Sequence, residues 1–178
     1  MRLDTDAIYY VSFYVLKEGD IQRGTTQYGS LSLRTGNWLR DGRRLLFGMT
    51  SERLPLLSHN KQNMKASPAL EAGTSYFVVA KIVAGEMTPD QVMMQVFSRG
   101  TPIPDQEPLA WTCVSEPEYD DTVFDHVLLY VEGTDYAFDE IRVASSWQAA
   151  TNFRWPQSSA LDRGGEGRRV AQRELRRQ

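Results

Sequence analysis

The chain has one cysteine, Cys113, and two histidines, His59 and His126, among 178 residues. A single cysteine excludes an internal disulfide and leaves the redox compartment open. Two separated histidines and one cysteine also make no zinc pattern. No apolar run approaches the roughly 18 residues of a membrane span. The start, Met1-Arg2-Leu3-Asp4-Thr5-Asp6, is polar and acidic, unlike a signal peptide. Helical periodicity is scarce before residue 145. What remains is ordinary for a globular chain, with 41% hydrophobic and 24% charged residues, and the length suits one domain plus a tail.

The net charge of −3 hides an asymmetry. Residues 152–178 carry seven arginines and three acids, net +4, which leaves the body, residues 1–151, at net −7. An acidic body argues against nucleic acid as the main partner. The tail mixes Pro, Ser and Gly, then becomes Arg-rich, and reads as mostly disordered, since an isolated helix of eleven residues is marginal in water.

Strand signals run through the body. Ala7–Lys17 is apolar on both faces and belongs at the centre of a sheet or beneath cover on both sides. Gln27–Arg34 alternates, Asp41-Gly42 is a hairpin signal, and Arg43–Thr50 follows as a strand. Ser51–Gly73 reads as a long loop with at most one short strand. Thr74–Ala84, Gln91–Ser98 and Phe124–Glu132 are further strands, with a Pro-bearing loop at Gly100–Glu107. Seven to nine strands with frequent turn signals predict an all-β antiparallel sandwich. The absence of a Cys–Trp–Cys spacing weighs against an immunoglobulin-like one.

Tyr136-Ala137-Phe138-Asp139-Glu140-Ile141-Arg142-Val143, followed by Ser145 to Thr151, predicts a strand running into one helical turn. Strict alternation places Asp139, Ile141 and Val143 on one apolar face, so Asp139 is expected to point inward and tie down a loop. Trp147 is expected to cover the end of the sheet. This stretch resembles the closing strand of laminin-G-like jelly rolls, in the concanavalin-A-like lectin/glucanase superfamily. The resemblance covers roughly residues 7–151 and implies a jelly-roll sandwich with a short C-terminal helical turn. It also implies an exported or envelope-associated protein. Family members carry strands before the one resembling Ile8–Leu16, so an N-terminally shortened domain of a longer chain is expected. The alternative is a domain that works without those strands.

The superfamily includes glycoside hydrolases, which need two carboxylates about 5–9 Å apart. Their Glu-x-Asp-x-x-Glu or Glu-x-Asp-x-Glu strand is not found: Glu132 and Asp135 flank a turn, and Asp139 and Glu140 are adjacent and face opposite ways. The expectation is therefore a non-enzyme: a non-catalytic lectin-like module binding carbohydrate or an extracellular protein. The alternative is a structural β-sandwich without a glycan site, packed on other domains of a longer chain. Sugars need an aromatic platform edged by polar groups. Trp38 between Asn37 and Asp41 is the best match, and Trp111 with His59 and Asn60 the second. Arg34, Arg40, Arg43 and Arg44 flank Trp38 and can receive acidic sugars. Any metal is expected to be Ca²⁺, held through Asp120 and Asp121 with Asp105 or Asn60 as further oxygen donors. Cys113 reads as buried and inert, His126 as a hydrogen-bonded core histidine, and His59 as exposed in a loop.

Overall fold

In the computed structural model, residues 1–18, 28–36, 44–60, 62–131 and 136–152 are described. Ten strands are found among them: β1 (Ala7–Lys17), β2 (Tyr28–Arg34), β3 (Arg44–Thr50), β4 (Pro55–His59), β5 (Gln62–Lys65), β6 (Ser75–Ala84), β7 (Gln91–Ser98), β8 (Cys113–Val114), β9 (His126–Val131) and β10 (Tyr136–Ala144). One short helix, α1 (Trp147–Thr151), follows. The strands form two five-stranded sheets, in the orders β10-β1-β6-β7-β8 and β5-β4-β3-β2-β9, and every strand pairing is antiparallel. This is a jelly-roll β-sandwich.

The core lies between the sheets. Val11, Phe13, Val15, Val78, Ala80 and Ile82 face Leu31, Leu33, Leu45, Phe47, Met49 and Leu57. Each set recurs at every second residue of its strand, which is what a pleat with one face on the core requires. β1 is buried on both faces because a second cluster covers the outside of its sheet. There Tyr10, Tyr14, Phe77, Val79 and Phe97 lie with Trp147 and Ala150 of α1. Ser146 caps α1, its hydroxyl accepting from the Ala149 N–H.

Three expectations need correction. The stretch Ser51–Gly73 holds two strands, β4 and β5, rather than one long loop. Their short apolar run, Leu56-Leu57, sits between prolines and polar residues and carries little periodicity of its own. His59 is fully buried at the end of β4, paired with Gln62 across a hairpin bend at Asn60. Asp139 is exposed and points outward. A β-bulge shifts the register of β10 between the partners of Ser12 and Tyr14, and Glu140 sits there with φ 52°. Phe138 packs inward on Phe13, ring centroids 5.9 Å apart, so Asp139 faces solvent. It accepts the Glu140 N–H at 2.8 Å instead of holding a loop. Tyr136, on the inner face, sits over Gly29, where any side chain would collide with its ring. Burial there pushes the Tyr136 phenol up to about 12. The Asp41-Gly42 turn and residues 153–178 lie outside the described residues.

Candidate functional site

Because Leu31, Leu33, Leu45 and Phe47 point into the core, Ser30, Ser32, Arg34, Arg44 and Leu46 stand on the outer face of the second sheet. Register then sets the rows. Arg34 is directly opposite Arg44 on β3 and His126 on β9. Side chains so paired stand roughly 5 Å apart at Cβ. Three basic side chains thus line up across three adjacent strands.

His126 is exposed, not a core residue. Its alternation with Leu128 and Tyr130 was legible, but the face they share looks away from the core. The carboxylate of Asp125 holds His126 Nδ1 at 2.6 Å. That hydrogen bond keeps the Asp125 carboxyl below the usual carboxylate range. The Asp125 N–H donates to the Arg34 carbonyl at 3.1 Å, tying the dyad to the same row. An Nδ1–H donated to Asp125 leaves Nε2 as the acceptor, the form in which imidazole takes up a proton.

Along the face from that row, Ser32 and then Ser30 follow on β2, with Ser58 on β4. All three are fully buried. Ser58 donates to the Asn60 carbonyl at 3.3 Å, while the Ser30 and Ser32 hydroxyls find no hydrogen-bond partner among the described residues.

The residues read from the sequence as ligand-binding do not form one site. Asn37, Trp38 and Asp41 lie outside the described residues, in the connection between Arg34 and Arg44. His59 points inward, its Nε2 3.4 Å from Asp120 Oδ2. Asn60, with φ 53°, donates to Asp120 at 3.1 Å and to Glu118 at 3.2 Å. His59, Asn60 and Asp120 therefore meet in a buried knot at the end of the sandwich. Asp120 is desolvated, which favours its neutral form. Bonds from His59, Thr122 and Asn60 outweigh that and hold its carboxyl down at about 2. Asp121 is exposed and does not join it. Among the described residues no group of three His, Cys, Asp or Glu side chains is placed to hold a metal ion. Trp111 is elsewhere, packed against Trp147. Trp147 is buried, its Nε1 donating to the Pro104 carbonyl at 2.8 Å. Cys113 is buried, and desolvation pushes its thiol up to about 11, far from a nucleophile's range.

A second titratable group was not read from the sequence at all. On the outer face of the first sheet, Glu107 accepts from Lys81 at 2.6 Å and from the Tyr10 hydroxyl. These three come from β6, the loop and β1, too far apart in the chain to signal their meeting. The pairing occupies Lys81 and anchors the loop.

No known protein-family profile matches the chain, and no curated protein sequence matches it. Solved structures do. The PL-14 alginate lyase from Aplysia kurodai matches with a TM-score of 0.55 at 9% identity, over 80% of this chain and 71% of that one. Alginate lyase Aly36B matches with a TM-score of 0.46 at 12% identity, over 78% and 69%. A mutant of the same lyase in complex with alginate trisaccharide gives 0.47 at 13%, over 80% and 72%. The likeness to the Aplysia protein establishes a shared jelly-roll fold. It also overturns the expectation of a non-catalytic lectin-like module and of a non-enzyme, because that neighbour is an enzyme. The missing hydrolase carboxylate pair excluded one chemistry only, because a lyase does not need it. No described helix is long and apolar enough to cross a membrane.

Proposed function

We propose that this protein is a polysaccharide lyase acting on a uronate-containing glycan, with its reaction centre on the outer face of the second sheet. The observation that carries the reading is the row Arg44–Arg34–His126, with Asp125 holding His126. The shared fold with an enzyme acting on alginate, a polymer of uronates, supports the same substrate class.

Cleavage by β-elimination requires three things: a neutralised carboxylate, a base for the adjacent C5 proton, and a proton for the departing oxygen. Arg44 and Arg34 supply cationic partners for the carboxylate, whose charge grows as the C5–H bond breaks. His126 Nε2 takes the C5 proton. The C–H electrons form the C4=C5 double bond, the C4–O4 bond breaks, and the imidazolium returns the proton to O4. Asp125 orients the ring and stabilises its charged state, the role an acid plays behind a histidine base.

The laminin-G-like resemblance of β10 and α1 is proposed as a relation within the broader jelly-roll superfamily. An extracellular site of action fits a polymeric substrate. The test is to incubate the protein with alginate and other polyuronates and follow the ultraviolet absorbance of the unsaturated uronate formed. Absorbance growth lost in His126→Ala supports the reading. No growth on any polyuronate would sink it.

A further inference from the structure

A groove of about 730 Å³ opens on another part of the molecule, bounded by residues 67–71, the end of β7 and the segment before β8. Trp111, Arg99, Thr112, Ser98, Glu71 and Tyr76 line it. None of them belongs to the Arg44–Arg34–His126 row. That row stands at the start of β3, whereas Pro55 of the groove follows the end of β3, roughly 20 Å further along the strand.

The groove is built rather than incidental. On one side, Leu70 is fixed twice to Arg53, through its N–H at 2.9 Å and its carbonyl to Arg53 Nε at 2.8 Å. Next to it the Glu71 N–H donates to the Tyr76 hydroxyl at 2.7 Å, and the Gly73 N–H to the Lys17 carbonyl at 2.8 Å. On the other side, the Ser98 and Thr101 hydroxyls bond at 2.7 Å around the Gly100 turn, where φ is 84°. The floor is held by Thr112, which accepts from the Val96 N–H at 3.2 Å and donates its own N–H to Gln95 at 3.0 Å. Trp111 stands perpendicular to Trp147, ring centroids 5.9 Å apart with planes at 89°. That contact fixes the half-buried indole before any ligand arrives, so little ordering remains to be done on binding.

A fixed indole beside an exposed guanidinium, hydroxyls and one carboxylate matches the two-sided chemistry of a sugar acid. C–H faces stack on the aromatic ring, a carboxylate pairs with the cation, and hydroxyls find donors and acceptors. We infer that this groove is a second, non-catalytic binding site for a uronate-bearing sugar chain, with Trp111 as platform and Arg99 as carboxylate partner. The choice of an acidic chain rests on the lyase reading, and the groove's job would be to hold the polymer while another part of it is cut. Two tethered sites on one chain raise apparent affinity for long polymers over short ones.

The experiment is calorimetric titration of the full chain with a short hexuronate oligomer and with a neutral hexose oligomer of equal length. It is run on wild type, Trp111→Ala, Arg99→Ala and Arg44→Ala, alongside turnover on polymer. Wild type is expected to prefer the acidic oligomer. Trp111→Ala should weaken that binding roughly tenfold and raise KM on polymer while kcat holds. Arg99 is exposed, so Arg99→Ala should leave the fold intact and remove the preference for the acidic oligomer. If Trp111→Ala fails to fold, Arg99→Ala decides alone. Unchanged binding in Arg99→Ala, or equal wild-type binding of the neutral oligomer, overturns the inference. Should the protein cut no polyuronate yet lose acidic-oligomer binding with Trp111→Ala and Arg99→Ala but not Arg44→Ala, the groove stands and the lyase reading falls.

Discussion

On the outside of the first sheet, Tyr10, Tyr14, Phe77 and Phe97 lie beneath Trp147 and the loop that Glu107 pins to Lys81 and Tyr10. On the outside of the second sheet, the corresponding positions hold Ser30, Ser32, Arg34, Arg44 and His126. Both faces come from the same alternation of inward and outward residues around one core. The first was given large apolar side chains and a cover, so it became a second core. The second carries Ser30, Ser32, Leu46 and Arg34, all buried, with Arg44 half-buried and His126 exposed at the end of the basic row. On the proposed lyase reading one sandwich face carries stability and the other function, and substitutions in each should separate the two.

The largest effect is expected where the cover is broken. Trp147→Ala removes contacts with Tyr10, Phe97 and Trp111 and the bond to Pro104. It should cost about 3–5 kcal/mol in urea unfolding, in line with aromatic truncation in cores. On the other face, His126→Ala should do the reverse. Turnover falls by about 10²–10⁴, the usual contribution of a general base. Stability stays within about 0.5 kcal/mol, as for exposed positions.

The buried knot at the end of the sandwich gives a pH signature that belongs to neither face. Asp120 is held at about 2 when folded, below its ordinary 3.8, so the unfolded chain takes up the proton first as pH falls. Its contribution is full above the unfolded value and is lost between there and about pH 2, and it amounts to about 2 kcal/mol. Neighbouring Asp90, which accepts the Asp120 N–H at 2.7 Å, is raised by burial and acts with the opposite sign. Its protonation favours the folded state as pH falls. Asp120→Asn should flatten the acid limb of a plot of unfolding free energy against pH. An unchanged limb would remove the knot from the account. The smallest effect is expected for Glu107→Gln, which keeps the geometry but not the charge beside Lys81. About 1 kcal/mol should be lost, because both partners retain some solvent.

Much of this was legible in the sequence. Alternation in Gln27–Arg34 placed β2 and set Arg34 on the face opposite Leu31 and Leu33. The rest failed for physical reasons. β9 is an edge strand with apolar residues on both faces, so periodicity could not say which face looks outward, and His126 was taken for a core residue. The bulge at Glu140 inverts the faces of β10 within one residue, and nothing in Asp-Glu-Ile-Arg announces it. His59 is buried because Asp120, sixty-one positions away, meets it, a contact that no local pattern encodes. The dyad of Asp125 and His126 was present as a dipeptide, but its meaning required the row that register supplies.

The most direct test of the central claim is the ultraviolet time course of polyuronate cleavage by wild type, His126→Ala and Arg44→Ala, with Trp147→Phe as a control on the opposite face. The account predicts that unsaturated product accumulates with wild type and with Trp147→Phe, and is lost or sharply slowed with the two substitutions on the polar face. Product formation undiminished in both His126→Ala and Arg44→Ala would contradict it, and would place the chemistry somewhere other than the outer face of the second sheet.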